Sequence, residues 1–157
     1  MIKAIVSDFS RVLLFPKDKS YQGSLNALHK ELSEKPSYNA LDFFELNVGL
    51  LDFYKSLKDR IPVYIFTSDV IQDSPEFQPY LQPVFKEVLS AKKMNTDKKT
   101  SEAHGLVASH LKLGPNEILY VDDAPENIQA AKTAGLNTFL YKDYENLLNQ
   151  IREALNS

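Results

Sequence analysis

An α/β fold of three layers, with helices on both faces of a central parallel sheet of about five strands, is the architecture this sequence predicts. Two observations carry it. Short apolar runs recur along the 157-residue chain with helical patterns between them: KAIVSD, PVYIFTSD, EVLSA, EILYVDD and NTFLYKD. Strands that alternate with helices build parallel sheets. The runs are also nearly continuous in Ile, Val, Leu, Phe and Tyr, the pattern of strands buried on two faces.

Taken in order, the first strand is the run Ala4, Ile5 and Val6, which stops at Asp8. No strand follows it promptly. Residues 15–47 instead predict a small helical cap: Leu25, Leu28 and Leu32 mark one helix, Pro36 ends it, and a second begins near Asn39 and carries Leu41, Phe44 and Val48. The plainer reading of this insert is a long crossover made of two helices. Leu50, Phe53, Tyr54 and Leu57 form the next apolar stripe, followed by the strand that ends at Thr67 and by EVLSA. Ala103, Leu106, Val107 and Leu111 make another helix, and Gly114-Pro115 stops it. EILYV then ends at Asp122-Asp123, a short helix runs to Gly135, NTFLYKD is the last strand, and Leu147, Ile151 and Leu155 close the chain on a helix. In this register Asp8, Thr67 and Asp122-Asp123 all stand at carboxyl ends of strands. In open parallel sheets that edge is where ligands bind.

Composition bounds the rest. A hydrophobic content of 43% over this length implies one domain spanning residues 1–157, with the cap at 15–47 inside it. The net charge is -3 and both signs are interspersed, so no global field draws nucleic acid or an anionic membrane. There is no cysteine, which excludes thiol chemistry and leaves a metal site to oxygen or imidazole ligands. The start MIKAIVSDF does not read as a signal peptide, and no run reaches the roughly eighteen apolar residues of a membrane span. The expectation is a soluble, cytoplasmic protein.

Asp8 alone is weak evidence, since acids often end strands. Its distant neighbours strengthen it. Thr67, with Ser68 beside it, supplies hydroxyls; Lys98 stands at the start of a helix; Asp122-Asp123 ends another strand. A carboxylate nucleophile, a hydroxyl donor, a fixed cation and an acidic metal site on one rim form a phosphate-handling set.

By order and spacing these residues resemble the haloacid dehalogenase (HAD) superfamily of hydrolases, over nearly the whole chain. The family's Asp-x-Asp-Gly-Thr/Val-Leu is matched by Asp8-Phe9-Ser10-Arg11-Val12-Leu13, its strand-ending Thr or Ser by Thr67, and its lysine by Lys98, with Lys99 as the rival. VDDAPENIQAAKTAGL is similar to the family's Val-Asp-Asp-x-x-x-Asn-x-x-Ala-Ala-x-x-x-Gly. The resemblance implies a Rossmann-like fold and an aspartyl-phosphate mechanism. Magnesium would lie between Asp8, the backbone carbonyl of Ser10 and Asp123, with Asp122 and Asn127 supporting it directly or through water. Thr67, Ser68 and Lys98 would hold phosphoryl oxygens of a small-molecule phosphate ester. An all-oxygen site that also receives phosphate suits Mg2+.

The first motif departs from the family at Ser10, where phosphatases carry a second aspartate that protonates the leaving group. A serine cannot do this near neutral pH, and such help is worth roughly a hundred- to ten-thousandfold. The expectation is therefore a magnesium-dependent phosphatase with altered or weak acid–base catalysis. The alternative is a catalytically impaired binding or regulatory module that keeps magnesium and phosphate affinity, with an oligomer or protein partner. A dehalogenase ranks lower because residues 15–47 contain no arginine. A phospho-accepting receiver domain is disfavoured because its acid pair follows the first strand, whereas here the pair is late. Arg11 either reaches a substrate phosphate or projects into solvent. His29, His104 and His110 have no metal-like spacing, and Phe43, Phe44, Phe53 and Tyr54 read as packing between cap and sheet.

Overall fold

The computed structural model describes residues 1–156. The chain opens with β1 (Ala4–Ser7) and then β2 (Leu14–Pro16), α1 (Leu25–Ser33), α2 (Ala40–Phe43), β3 (Phe44–Leu46) and α3 (Val48–Leu57). β4 (Val63–Thr67), α4 (Gln78–Leu81), β5 (Glu87–Ser90), α5 (Ser101–Leu111), β6 (Ile118–Asp122), α6 (Pro125–Thr133), β7 (Asn137–Leu140) and α7 (Tyr144–Asn156) follow. The main sheet has the order β5-β4-β1-β6-β7 and is parallel throughout. All five apolar runs read from the sequence lie in it.

Strand alternation divides the core into two layers. Ile5, Val63, Ile65, Leu119 and Val121 face one side, where Leu50, Tyr54, Leu147 and Ile151 of α3 and α7 cover them. Ala4, Val6, Tyr64, Phe66, Ile118 and Tyr120 face the other, against Ala103 and Val107 of α5 and Ile128 and Ala131 of α6. The chain leaves β1 toward β4 and β5, then returns to build β6 and β7 on the far side. The direction of winding thus reverses between β1 and β6, which opens a crevice at their carboxyl ends.

The insert differs from the helical pair predicted for residues 15–47. α1 forms as expected, capped by Ser24, whose hydroxyl accepts from Ala27 N–H. Asn39 likewise caps α2, yet that helix lasts a single turn. At Phe44 the backbone turns extended, β3 pairs antiparallel with β2, and Asn47 caps a fresh helix at Val48. Leu41, Phe44 and Val48 therefore belong to three elements. The helical spacing misled because Phe44 is buried by strand pairing and Val48 is exposed. The aromatic cluster splits in the same way: Phe44 and Tyr54 are fully buried, whereas Phe43 is exposed and stacks on Tyr38.

α6 ends as the sequence predicts. Gly135 has φ +95°, its N–H donates to Lys132 O, and Leu136 N–H donates to Ala131 O, which is the Schellman pattern. A Cβ there would meet Pro115 Cβ at 3.3 Å. Gly135→Ala is expected to destabilise by about 1–2 kcal/mol and to lower Tm by roughly 2–8 °C. An unchanged melting curve would refute this. Among the described residues no helix is long and apolar enough to cross a membrane.

Candidate active site

At the crevice between β1 and β6 lies a pocket of about 190 Å3, lined by Asp8, Ser10, Arg11, Thr67, Ser68, Lys98, Asp122, Asp123 and Asn127, with Ser24, Leu25 and Asn26 at the start of α1. Every residue that the sequence singled out for chemistry is on this wall. The rival, Lys99, is exposed and outside it. A larger hollow of about 460 Å3 sits where β6 and β7 begin, but no acidic, basic or imidazole side chain lines it.

The backbone after β1 aims Asp8. Its N–H donates to Val121 O of the neighbouring strand, and Asp8 Oδ1 accepts from Phe9 N–H at 2.8 Å. Behind it, Tyr54 is fully buried and donates to Ser7 Oγ at 3.0 Å, while Ser7 Oγ donates to Asp8 O at 3.0 Å. This chain from α3 to the strand end was not legible in the sequence, because Tyr54 reads there as one more apolar residue of a stripe.

Lys98 precedes α5 instead of opening it; Thr100 is the cap. Its ammonium is only 2% exposed and lies 2.8 Å from Asp8 Oδ1 and 3.0 Å from Asp122 Oδ2. It also stands 5.6 Å from the centroid of Phe66 and 5.8 Å from that of Tyr120. Burial pulls its pKa down, and the Asp8 and Asp122 carboxylates outweigh burial, so Lys98 stays charged above the ordinary lysine value. The buried His104 ring sits beneath it, with Nε2 2.7 Å from Lys98 O. Burial holds this imidazole below its usual pKa, so as a neutral ring it donates to that carbonyl. His104 thus positions a loop, a role that its helical spacing did not signal.

The acid pair divides its labour. Asp122 is fully buried, and its Oδ2 accepts from Tyr120 OH, from Asn127 Nδ2 at 3.1 Å and from Lys98. Its Oδ1 takes Ala124 N–H at 2.9 Å, at the entrance to α6. Burial raises its pKa, but Lys98 and these donors win and hold it below the ordinary carboxylate range. Asp123 does not cap that helix; Ala124 is the cap residue, with no side-chain cap bond. Asp123 is half-buried, and burial followed by the charge of Asp122 raises its pKa.

Asp8, Asp122 and Asp123 each bring a carboxylate oxygen within 4.8 Å of the others. Lys98 is the cation in direct contact with them, and Arg11 stands on the same wall. Burial, then Asp122 and Asp123, push the Asp8 pKa well above its usual value even though Lys98 opposes this. A cluster of hard oxygen donors with more negative than positive charge fits a hard divalent cation. Since Asp122 is saturated by donors, Asp8 and Asp123 are the carboxylates with capacity to ligate.

Arg11 does not project into solvent. It occupies the left-handed region at φ 63°, and Nη2 donates to Tyr21 O at 3.2 Å and to Gly23 O at 2.8 Å. It thereby ties the loop before α1 to the turn after the nucleophile. Ser10 Oγ is buried with no hydrogen-bond partner. His29 bonds Tyr38 OH on the cap and His110 bonds Glu87 outside the pocket, so neither reaches the site.

No protein-family model matches the chain, and no curated protein is significantly similar to it. Solved structures do match. A predicted HAD-like family hydrolase from Porphyromonas gingivalis superposes with a TM-score of 0.72 at 20% identity, covering 100% of this chain and 99% of that one. A HAD-family enzyme from Bacteroides thetaiotaomicron, solved with magnesium and inorganic phosphate, gives 0.66 at 16% identity, covering 94% and 99%. A hydrolase from Streptococcus pneumoniae gives 0.65 at 15% identity, covering 99% of both. The chain has the HAD-like fold, an α/β architecture of the Rossmann-like kind.

Proposed function

We propose that this protein is a HAD-superfamily hydrolase: a magnesium-dependent, cytoplasmic phosphatase that acts on a small phosphorylated molecule through an aspartyl-phosphate on Asp8. The single observation that carries the reading is Lys98, fully buried yet charged, clamped between Asp8 and Asp122 at the switch point of the sheet. Burying an ammonium is costly unless it is paired and has a task at that place. The Bacteroides neighbour, solved with magnesium and phosphate, supports the same chemistry here.

In this mechanism Asp8 attacks phosphorus and Lys98 and Thr67 hold the transferring oxygens, with Ser68 beside them. A bound magnesium ion, held by Asp8, the Ser10 carbonyl and Asp123, supplies the positive charge that lets a carboxylate approach an anionic phosphoryl group. Asp122, saturated by donors, keeps Lys98 in place, and Asn127 in turn keeps Asp122. Tyr54 and Ser7 fix the backbone from which the nucleophile projects. Water then hydrolyses the aspartyl-phosphate.

Ser10 favours one second reading, a module that binds magnesium and phosphate without turnover. Phosphate release from a broad panel of phosphate compounds, with and without magnesium, separates the two. Release that stops on chelation and resumes on adding magnesium is the expected result. Metal binding without release from any compound would exclude the phosphatase and leave the binding module.

A further inference from the structure

Resting on that phosphatase reading, we infer that the substrate is a phosphate anhydride, whose leaving group departs as an oxyanion facing Arg11, not as an alcohol protonated by an acid.

The pocket wall supplies the argument. A leaving alkoxide needs a proton, and the side chains here do not offer one. Lys98 is held by two carboxylates, Asp122 is saturated by donors, Asp123 is the carboxylate left with Asp8 to hold the metal, and the histidines lie elsewhere. What the wall does offer beside the nucleophile is a cation. Among the described residues Arg11 forms no ion pair; its only hydrogen-bond partners are two backbone carbonyls, both reached through Nη2. Its Nε and Nη1 donors and its full charge remain for an anion. Arg11 stands in a left-handed turn at φ 63°, directly after the loop that carries the nucleophile, and its side chain lines the pocket. Next to it, Ser10 presents no carboxyl to the pocket, and its Oγ is buried without a partner.

The balance is complete without an acid. The Asp8 carboxylate attacks phosphorus, a P–O bond to Asp8 forms, and the bridging P–O bond breaks with its electron pair on the leaving oxyanion. Phosphate or a carboxylate is stable in that form; an alkoxide is not. Water then attacks the aspartyl-phosphate at phosphorus. Both of its protons leave with dihydrogen phosphate, and the Asp8 carboxylate is restored.

Turnover of pyrophosphate and acetyl phosphate should be compared with glycerol phosphate and p-nitrophenyl phosphate, at saturating magnesium, in wild type, Arg11→Gln, Arg11→Lys and Ser10→Asp. In wild type kcat/KM is expected to be at least about a hundredfold higher on the anhydrides than on glycerol phosphate. Arg11→Gln should lower pyrophosphate turnover by about 10- to 100-fold and shrink its advantage over p-nitrophenyl phosphate. Arg11→Lys keeps charge without the planar fork, so it should retain part of that advantage. A merely structural role would make both variants lose all substrates alike. Ser10→Asp should raise glycerol phosphate turnover and narrow the gap. Glycerol phosphate within tenfold of pyrophosphate in wild type, or an equal loss on all substrates in Arg11→Gln, would overturn the assignment. No release from either class would instead overturn the phosphatase reading beneath it.

Discussion

Lys98→Met is expected to remove at least about a thousandfold of turnover and about 3–5 kcal/mol of stability, which lowers Tm by roughly 10 °C. Methionine fills a similar volume, so packing is not the cause. The loss of charge is. Asp8 and Asp122 would lose the ammonium at 2.8 and 3.0 Å, and three clustered carboxylates would face one another. The same charge holds transferring phosphoryl oxygens in the proposed reaction, so one substitution strikes both properties. Circular dichroism melts and a phosphate-release assay read them separately. A variant that melts with wild type and keeps turnover within tenfold would remove the central reason for the proposed function.

Asp8→Asn moves the same two quantities in opposite directions. Turnover should fall below detection, because an amide is no nucleophile toward phosphorus. Without metal, however, the variant should be more stable than wild type, by about 1–2 kcal/mol, as is common where a charged site is relaxed. The sign follows from the raised pKa of Asp8, whose first cause is burial and whose next is the neighbouring acids. A carboxyl group whose folded pKa lies above its unfolded value binds its proton more tightly in the folded state. Once pH exceeds the unfolded value its ionisation costs stability, and at neutral pH that cost is present. Asparagine removes it, while Lys98 keeps Asp122 as a partner. Magnesium should reverse the ranking: it should raise the wild-type Tm by neutralising the cluster and act much less on the variant. Differential scanning calorimetry with and without magnesium tests this. A metal-free Asp8→Asn that melts below wild type would show that the Lys98 contact outweighs repulsion among the acids.

The inner strands were legible because parallel strands buried on both faces are nearly continuous in apolar residues; the edge strands β5 and β7 carry polar residues at exposed positions and were legible from their short apolar runs between helices. Gly135 was legible because a left-handed turn leaves few other choices. Asp8, Thr67, Lys98 and Asp122-Asp123 could be placed on one rim because each follows or lies near the end of a strand, and parallel strands share one carboxyl edge. The fate of Phe44 and Val48 was not legible: helical spacing fits them, and only pairing of β2 with β3 pulls Phe44 out of the helix.

By itself, then, the sequence determined the parallel sheet, its carboxyl-edge residues and the serine where an acid was expected, since local periodicity and residue chemistry suffice for these. Tertiary structure alone decided which carboxylate does what. Asp122 and Asp123 are adjacent and identical in type, yet one is buried among Lys98, Tyr120, Asn127 and Ala124 N–H while the other stays half-open. It also decided that Tyr54, Ser7 and His104 support the site and that Arg11 faces it. Tyr54 with Ser7 and Lys98 with Asp8 and Asp122 are contacts between residues far apart in the chain, and the nearer ones depend on which way a side chain points, of which a sequence carries no record.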